Sequence, residues 1–232
     1  GLCKQTNRQC FVAAAERLLH FTDCVMIGFV FPGQGSQQVG MGKTLSETYD
    51  ICRETFAQAD EALGEPISHL CFDGPEEGLR LTENTQPAVL AMSVAVYRLL
   101  KYRGFSPDLV AGHSLGEYSA NVAAGTLSYA DALRTVRRRG VYMQEAVPLG
   151  KGAMVAVLGL DSEIVRQACE EVANGAVVSA ANLNAPGQVA VSGEKEAVAR
   201  AGVRAKELGA RRVVSLPVSA PFHCDLMQSA ED

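Results

Sequence analysis

Gly112-His113-Ser114-Leu115-Gly116 is the stretch that most restricts how this chain can fold. It fits the pattern Gly-x-Ser-x-Gly, a sharp strand-to-helix turn that holds a serine up in a strained, exposed position. The flanks agree with that reading. An apolar run, DLVA (Asp108 to Ala111), leads in, and a helix-forming LGEYSANVAA leads out. Gly112 and Gly116 leave room for the turn and for close backbone packing. The first free N–H groups of the following helix face any anion that develops at the serine. The competing interpretation is a glycine turn whose serine caps a helix.

Around this elbow the rest of the chain reads as α/β. MIGFVFPG is a short buried strand stopped by Pro32 and Gly33. GQGSQQVGMG is a glycine-rich loop, but it matches neither the P-loop nor Gly-x-Gly-x-x-Gly. LSETYDICRETFAQADEAL predicts one helix, and NTQPAVLAMSVAVYRLLKYRG another, entered at Pro87 and closed at Gly104. SYADALRTVRRRGVYMQEAV is a helix with Ser128 and Asp131 at capping-box spacing. Beyond Gly150 the order becomes β-α-β-β-α-β over 152–218, the ferredoxin-like arrangement, set as a small domain inside a larger α/β one. The large domain then comprises 26–151 and 219–232.

Residues 1–25 precede Met26, carry Cys3, Cys10 and Cys24, and are a leader or extension of doubtful status. Lys4, Arg8 and Arg17 outnumber Glu16 and Asp23, as in a transit peptide, yet serine is absent. A cloning remnant or translated upstream sequence is the other explanation. AAAERLLHF within this stretch could make a short helix.

Composition excludes several roles. Net charge is −5 and Trp is absent, which argues against a nucleic-acid partner. No apolar run approaches the length of a membrane span. The seven cysteines form no Cys-x-x-Cys pair and predict free thiols.

A serine hydroxyl is a poor nucleophile until a base takes its proton. Four histidines are available: His20, His69, His113 and His223. His20 lies in the doubtful leader. His69 sits in a loop-like stretch and reads as solvated. His113 neighbours Ser114, but adjacent residues on an elbow point apart. His223 lies in LPVSAPFHCDLM, where Pro217 and Pro221 predict an ordered turn that returns a side chain to a cleft. By elimination His223 is the best base; the alternative is an ordinary loop histidine. Arg137, Arg138 and Arg139 raise a similar choice. With Tyr129, Leu133, Val136, Gly140 and Met143 as the apolar stripe, Arg138 falls opposite, while Arg137 and Arg139 lie roughly 70–90° from its centre. Periodicity slightly favours Arg139 as the inward one and leaves a solvated basic face open.

From Met26 onward the chain resembles the malonyl-CoA:acyl carrier protein transacylases, the malonyl-loading enzymes of dissociated fatty acid synthesis. The segments FVFPGQGSQQVGMG, TQPAVLAMSVAVYR, GHSLGEYSA, RRRGVYMQEAVPLGKGAM, NAPGQVAVSG and LPVSAPFH carry the match, in the family's order and spacing. The resemblance implies a hydrolase-like α/β large domain with an inserted ferredoxin-like small domain. It implies Ser114 as nucleophile and His223 as base. Leu115 and Gln34 supply oxyanion N–H groups, and Arg139 grips the free malonyl carboxylate. Phe222, beside His223, resembles the pattern of malonyl-selective enzymes and limits room for a methyl branch. The implied partners are malonyl-CoA and acyl carrier protein, with no metal or redox cofactor, no nucleic acid and no membrane. The implied protein is a cytoplasmic monomer, or organellar where residues 1–25 are a transit peptide. The family runs about 80 residues past the position matching Asp232. The expectation is therefore that the C-terminal part of the large domain, with the carbonyl that orients the histidine, is missing.

Within the same chemistry, a polyketide-type acyltransferase, a serine esterase and an inactive remnant are the alternatives. A buried Arg139 speaks against an apolar-ester esterase. Carrier proteins are acidic, so docking on a chain of charge −5 needs a local basic patch. Lys195, Arg200, Arg204, Lys206, Arg211 and Arg212, on or beside one helix, are the expected patch, against a merely solvated face.

Overall fold

A computed structural model describes residues 26–231. The leader, with its expected helix, His20 and three of the cysteines, lies outside the described residues. β1 (Gly28–Phe31) is followed by α1 (Lys43–Thr48), α2 (Asp50–Leu63), α3 (Ile67–Asp73), α4 (Glu76–Arg80) and α5 (Thr82–Tyr102). β2 (Leu109–Gly112), α6 (Gly116–Ala124) and α7 (Tyr129–Ala146) come next. The later part holds β3 (Gly152–Leu158), α8 (Ser162–Val172), β4 (Val178–Ala185), β5 (Gln188–Glu194), α9 (Lys195–Glu207) and β6 (Arg212–Ser215). A 3₁₀ turn, Asp225–Met227, and α10 (Gln228–Glu231) follow. The architecture is mixed α/β.

β1 and β2 pair in parallel, Gly28 opposite Leu109 and Phe31 opposite Gly112. That register brings the end of β1 beside the elbow. The first core is mostly helical, built from Phe56, Leu79, Leu90, Val94, Leu115, Leu133 and Val136. The second sheet runs β4-β5-β3-β6 with antiparallel pairing throughout. α8 and α9 cover it over Val157, Val165, Val189, Val191 and Val198. A third cluster ties the two regions together. It joins Met143 and Val147 at the end of α7 to Met154 of β3, Ala190 of β5, and Ala220, Phe222 and Met227.

Two helix boundaries differ from the sequence expectation. The stretch expected as one helix is two, because Tyr49 is extended (φ −126°, ψ 119°) between α1 and α2. α5 starts at Thr82, five positions before Pro87. Proline cannot bond the carbonyl of Glu83 four residues back. That carbonyl instead accepts from Arg137 Nη1 at 2.8 Å, so a tertiary contact replaces the lost helical bond. The close approach of α7 at this point needs Gly140, where a Cβ would stand 2.5 Å from Glu83 Cα. Ser128 caps α7 as its spacing predicted, accepting from the Asp131 N–H at 3.1 Å. No described helix is long and apolar enough to cross a membrane.

Candidate active site

The elbow forms as its sequence requires. Ser114 has φ 52°, in the left-handed region that costs a non-glycine residue about 1–3 kcal/mol. Its glycines are steric necessities. A Cβ on Gly112 would stand 2.0 Å from the Gly116 carbonyl carbon, and one on Gly116 2.1 Å from the Phe31 carbonyl oxygen. The loop after β1 lies against the same turn, since a Cβ on Gly33 would stand 2.6 Å from the His113 carbonyl oxygen.

The turn after β6 returns His223 to this serine across 109 residues of sequence. Ser114 Oγ and His223 Nε2 are 2.8 Å apart. His223 also has positive φ, 59°. Arg139 Nη2 donates to Ser114 Oγ at 3.2 Å, and Arg139 Nη1 donates to Gln86 Oε1 at 2.6 Å. A guanidinium only donates, so Ser114 accepts from Arg139 and keeps its own proton for His223. That geometry needs an unprotonated Nε2. Desolvation holds the His223 pKa below its ordinary 6.5, and the charges of Arg139 and His113 lower it further. Desolvation also lowers the Arg139 pKa, with Tyr118 and Glu117 acting the other way. A guanidinium in proteins nonetheless remains a cation. Its carbon lies 5.7 Å from the centre of the Tyr118 ring.

Arg139 and His223 line a cavity of about 780 Å³, together with Tyr118, Tyr142, Met143 and Cys224 among others. That is room for a ligand of metabolite size. Among the described residues no group of three or more His, Cys, Asp or Glu stands together as a metal site.

The other candidates are placed as follows. Arg137 is tied away from the cavity by Glu65, Asn84 and the Glu83 carbonyl. Arg138 is exposed at the cavity wall. Leu115 buries its side chain completely, and its N–H follows Ser114 at the start of α6. Gln34 lines a second cavity of about 220 Å³, and its Oε1 accepts from Thr82 Oγ1 at 3.0 Å. Neither the Leu115 nor the Gln34 backbone N–H has a bond to another described residue. Phe222 is buried, 6% exposed, in the cluster with Met143 and Met227, and does not itself line the large cavity.

His113 is exposed, and Ser36 Oγ donates to the Gly33 carbonyl at 2.8 Å. His69 is on α3 rather than in a loop, exposed, with Nδ1 3.2 Å from Asp73. The expected basic patch is not one free face. Arg204 pairs with Glu171 and Glu207, and Arg200 donates to the Val172 carbonyl at the end of α8. Cys52, Cys71, Cys169 and Cys224 are free thiols, and burial pushes Cys71 up to about 12.

Gln86 is the residue that sequence reasoning passed over. It is fully buried and orients Arg139. Its signal was a glutamine just before Pro87 inside a helix whose next residues are apolar. A buried amide there needs a polar partner from elsewhere in the fold.

Residues 28–232 match the acyl transferase domain family. The malonyl CoA-acyl carrier protein transacylase of Escherichia coli (strain K12) is 55% identical over 205 residues, covering 88% of this chain and 66% of that protein. Its Bacillus subtilis (strain 168) counterpart is 52% identical over 207 residues, covering 89% and 65%. The chain thus spans 66% of the length of the first of these relatives and 65% of the second. Among solved structures, a malonyl-transacylase in complex with a type II PKS acyl-carrier protein superimposes with TM-score 0.86 at 51% identity, covering 89% of this chain and 67% of that one. The Coxiella burnetii malonyl CoA-acyl carrier protein transacylase gives 0.87 at 48%, covering 88% and 65%. An elbow serine facing a histidine and an arginine, on a chain so similar to these proteins, makes this chain a member of the acyl transferase domain family.

Proposed function

We propose that the protein transfers malonyl from malonyl-CoA to the phosphopantetheine thiol of an acyl carrier protein, for fatty acid synthesis. The observation that carries this reading is Arg139, a buried-side cation on the nucleophile itself. An esterase of apolar substrates has no use for it, whereas a malonyl group brings a carboxylate that a guanidinium grips in two places. The names of the similar proteins agree with the substrate and with the carrier.

His223 takes the Ser114 proton as Oγ attacks the thioester carbonyl. The backbone N–H groups of Leu115 and Gln34 stabilise the tetrahedral oxyanion. As it collapses, the carbon–sulfur bond breaks, and CoA leaves with the proton held by His223. The carrier's thiol, its proton taken by His223, then attacks the malonyl-serine ester; the Oγ–acyl bond breaks, the thioester forms, and His223 returns the proton to Ser114 Oγ. On substrate binding Arg139 exchanges its bond to Ser114 Oγ for the malonyl carboxylate and holds the acyl chain in line. Phe222 stands one layer behind Met143 and Met227, which line the cavity, so its influence on a branched acyl group passes through them.

In this reading the β-α-β-β-α-β unit, 152–218, is a ferredoxin-like domain inserted into a hydrolase-like α/β domain of 26–151 and 219–232. The chemistry calls for no metal or redox cofactor, and the place of work is the cytoplasm, as a monomer. Incubation with malonyl-CoA followed by intact-mass measurement tests the proposal. One malonyl adduct is expected, lost in Ser114→Ala and kept in Ser36→Ala. An adduct mapped to Ser36, or none on the unmodified protein, overturns it.

A further inference from the structure

Four side chains form a hydrogen-bonded line from the serine's neighbourhood to the loop after β1. Arg139 Nη1 donates to Gln86 Oε1 at 2.6 Å, Gln86 Nε2 donates to Thr82 Oγ1 at 3.1 Å, and Thr82 Oγ1 donates to Gln34 Oε1 at 3.0 Å. Thr82 and Gln86 are 0% exposed. The line crosses from α7 through α5 to the glycine-rich loop.

Its direction is fixed at one end. Arg139 has donors only, so Gln86 must turn its carbonyl oxygen toward it and its NH₂ toward Thr82. The Thr82 hydroxyl accepts there and directs its single proton to Gln34. Gln34 is left with its NH₂ as the outer end of the line.

Thr82 is unlike the other threonines of this region. Thr55 and Thr85 donate their hydroxyl protons to backbone carbonyls within six residues, as helical threonines commonly do, although Thr55 Oγ1 also accepts from Arg98 Nη1 at 3.1 Å. Thr82 stands at the start of α5 but does not cap it; Leu81 occupies the cap position without a side-chain bond. Its hydroxyl instead reaches Gln34, 48 positions away. A hydroxyl without partners is costly to bury, so this one is held by what lies at both of its ends.

We propose that Thr82 is a positioning residue, whose hydroxyl couples the carboxylate clamp at Arg139 to the Gln34 loop that supplies an oxyanion donor. The proposal rests on the malonyl-transfer reading. An acyl group that engages Arg139 thereby also steadies the donor loop, so part of the preference for a carboxylated acyl group is expressed in the rate of acylation rather than in binding.

Thr82→Val keeps shape and loses the hydroxyl, whereas Thr82→Ser keeps it. On the full chain, rapid-quench measurement of malonyl-enzyme formation is expected to slow about tenfold in Thr82→Val. The KM for malonyl-CoA should stay within about twofold, and Thr82→Ser should recover most of the rate. Combined with Gln34→Ala, Thr82→Val should add little further loss, because both break one line. Additive losses, or equal losses in Val and Ser, overturn the coupling.

A second readout needs no turnover. Arg139→Ala should move the Gln34 side-chain NH₂ signals in an NMR spectrum when Thr82 is present and leave them in place in Thr82→Val. A shift that persists in Thr82→Val overturns the coupling. If the unmodified chain takes up no malonyl while the Thr82-dependent shift appears, the malonyl reading falls and the coupling stands.

Discussion

The region from β1 to α7 and the region from β3 to β6 solve the problem of burial in different ways. The later one closes a four-stranded sheet with two helices over a core of valine and alanine, and Ser192 is its fully buried polar residue. The earlier one has a two-stranded sheet, with Val30 77% exposed, and a core made by helices. It buries Thr55, Thr82, Thr85, Gln86, Ser93 and Ser119. Strain divides similarly. Among described residues other than glycine, positive φ occurs at Ser114, Asn174 and His223. Asn174 is of a type that tolerates it, in the turn after α8, while the other two face each other at 2.8 Å, with His223 at the cavity wall. Buried polarity and backbone strain both cost stability, and the Thr82–Gln86 pair joined to Arg139, with the strained Ser114 and His223, marks where the fold serves chemistry. No described residue of the β3–β6 region lines the cavity of Arg139 and His223; it meets that side through Met154 and Ala190 in the third cluster.

That contrast predicts mutations that separate rate from stability. The largest effect is expected at Arg139. Arg139→Ala should cut malonyl transfer by about a hundredfold or more and narrow or reverse the malonyl-to-acetyl ratio in a competition between the two thioesters. A retained malonyl preference would put the clamp elsewhere. Val191→Ala, in the second core, should cost about 2 kcal/mol of stability through lost burial and a residual cavity. Its acylation rate should be unchanged where the protein is folded, and a slowed rate would break the division of labour. Gln86→Leu should do the reverse: about a tenfold loss of rate with a smaller change in thermal midpoint than Val191→Ala.

The smallest effect concerns pH. Because the His223 pKa lies below 6.5, the acid limb of kcat/KM should fall below pH 6.5. His113→Gln removes one of the influences that lower it and should move the limb upward. An acid limb above pH 6.5 would contradict the desolvated, cation-flanked base. The same shift makes stability fall as pH drops below 6.5, where the unfolded chain binds a proton that folded His223 resists. Well above 6.5 both states are neutral at this position and the contribution is flat.

The elbow was legible from five residues because its requirements are local: a sharp turn needs glycines whatever surrounds it. The β-α-β-β-α-β order was legible for a related reason, since alternation and helical periodicity are carried by neighbours in sequence. The stripe on α7 was visible too, and Ala132, Leu133, Val136, Gly140 and Met143 are its buried residues along with Tyr129. Periodicity did not decide between Arg137 and Arg139, which flank that stripe on opposite sides.

Tertiary structure decided it, by supplying Glu65 and Asn84 to one and Gln86 and Ser114 to the other. It also started α5 five residues ahead of Pro87, by offering Arg137 to a carbonyl that proline had left without a partner. The sequence by itself determined the turn, the periodic elements and the kinds of side chain available for chemistry, all of which depend on residues a few positions apart. Which of those side chains meet was settled only by packing. Ser114 and His223 are 109 positions apart, and Thr82 and Gln34 are 48. The first contact follows from how the segment carrying Phe222 and His223 docks against Met143 and Met154, the second from how the loop after β1 packs on α5, and no local pattern encodes either.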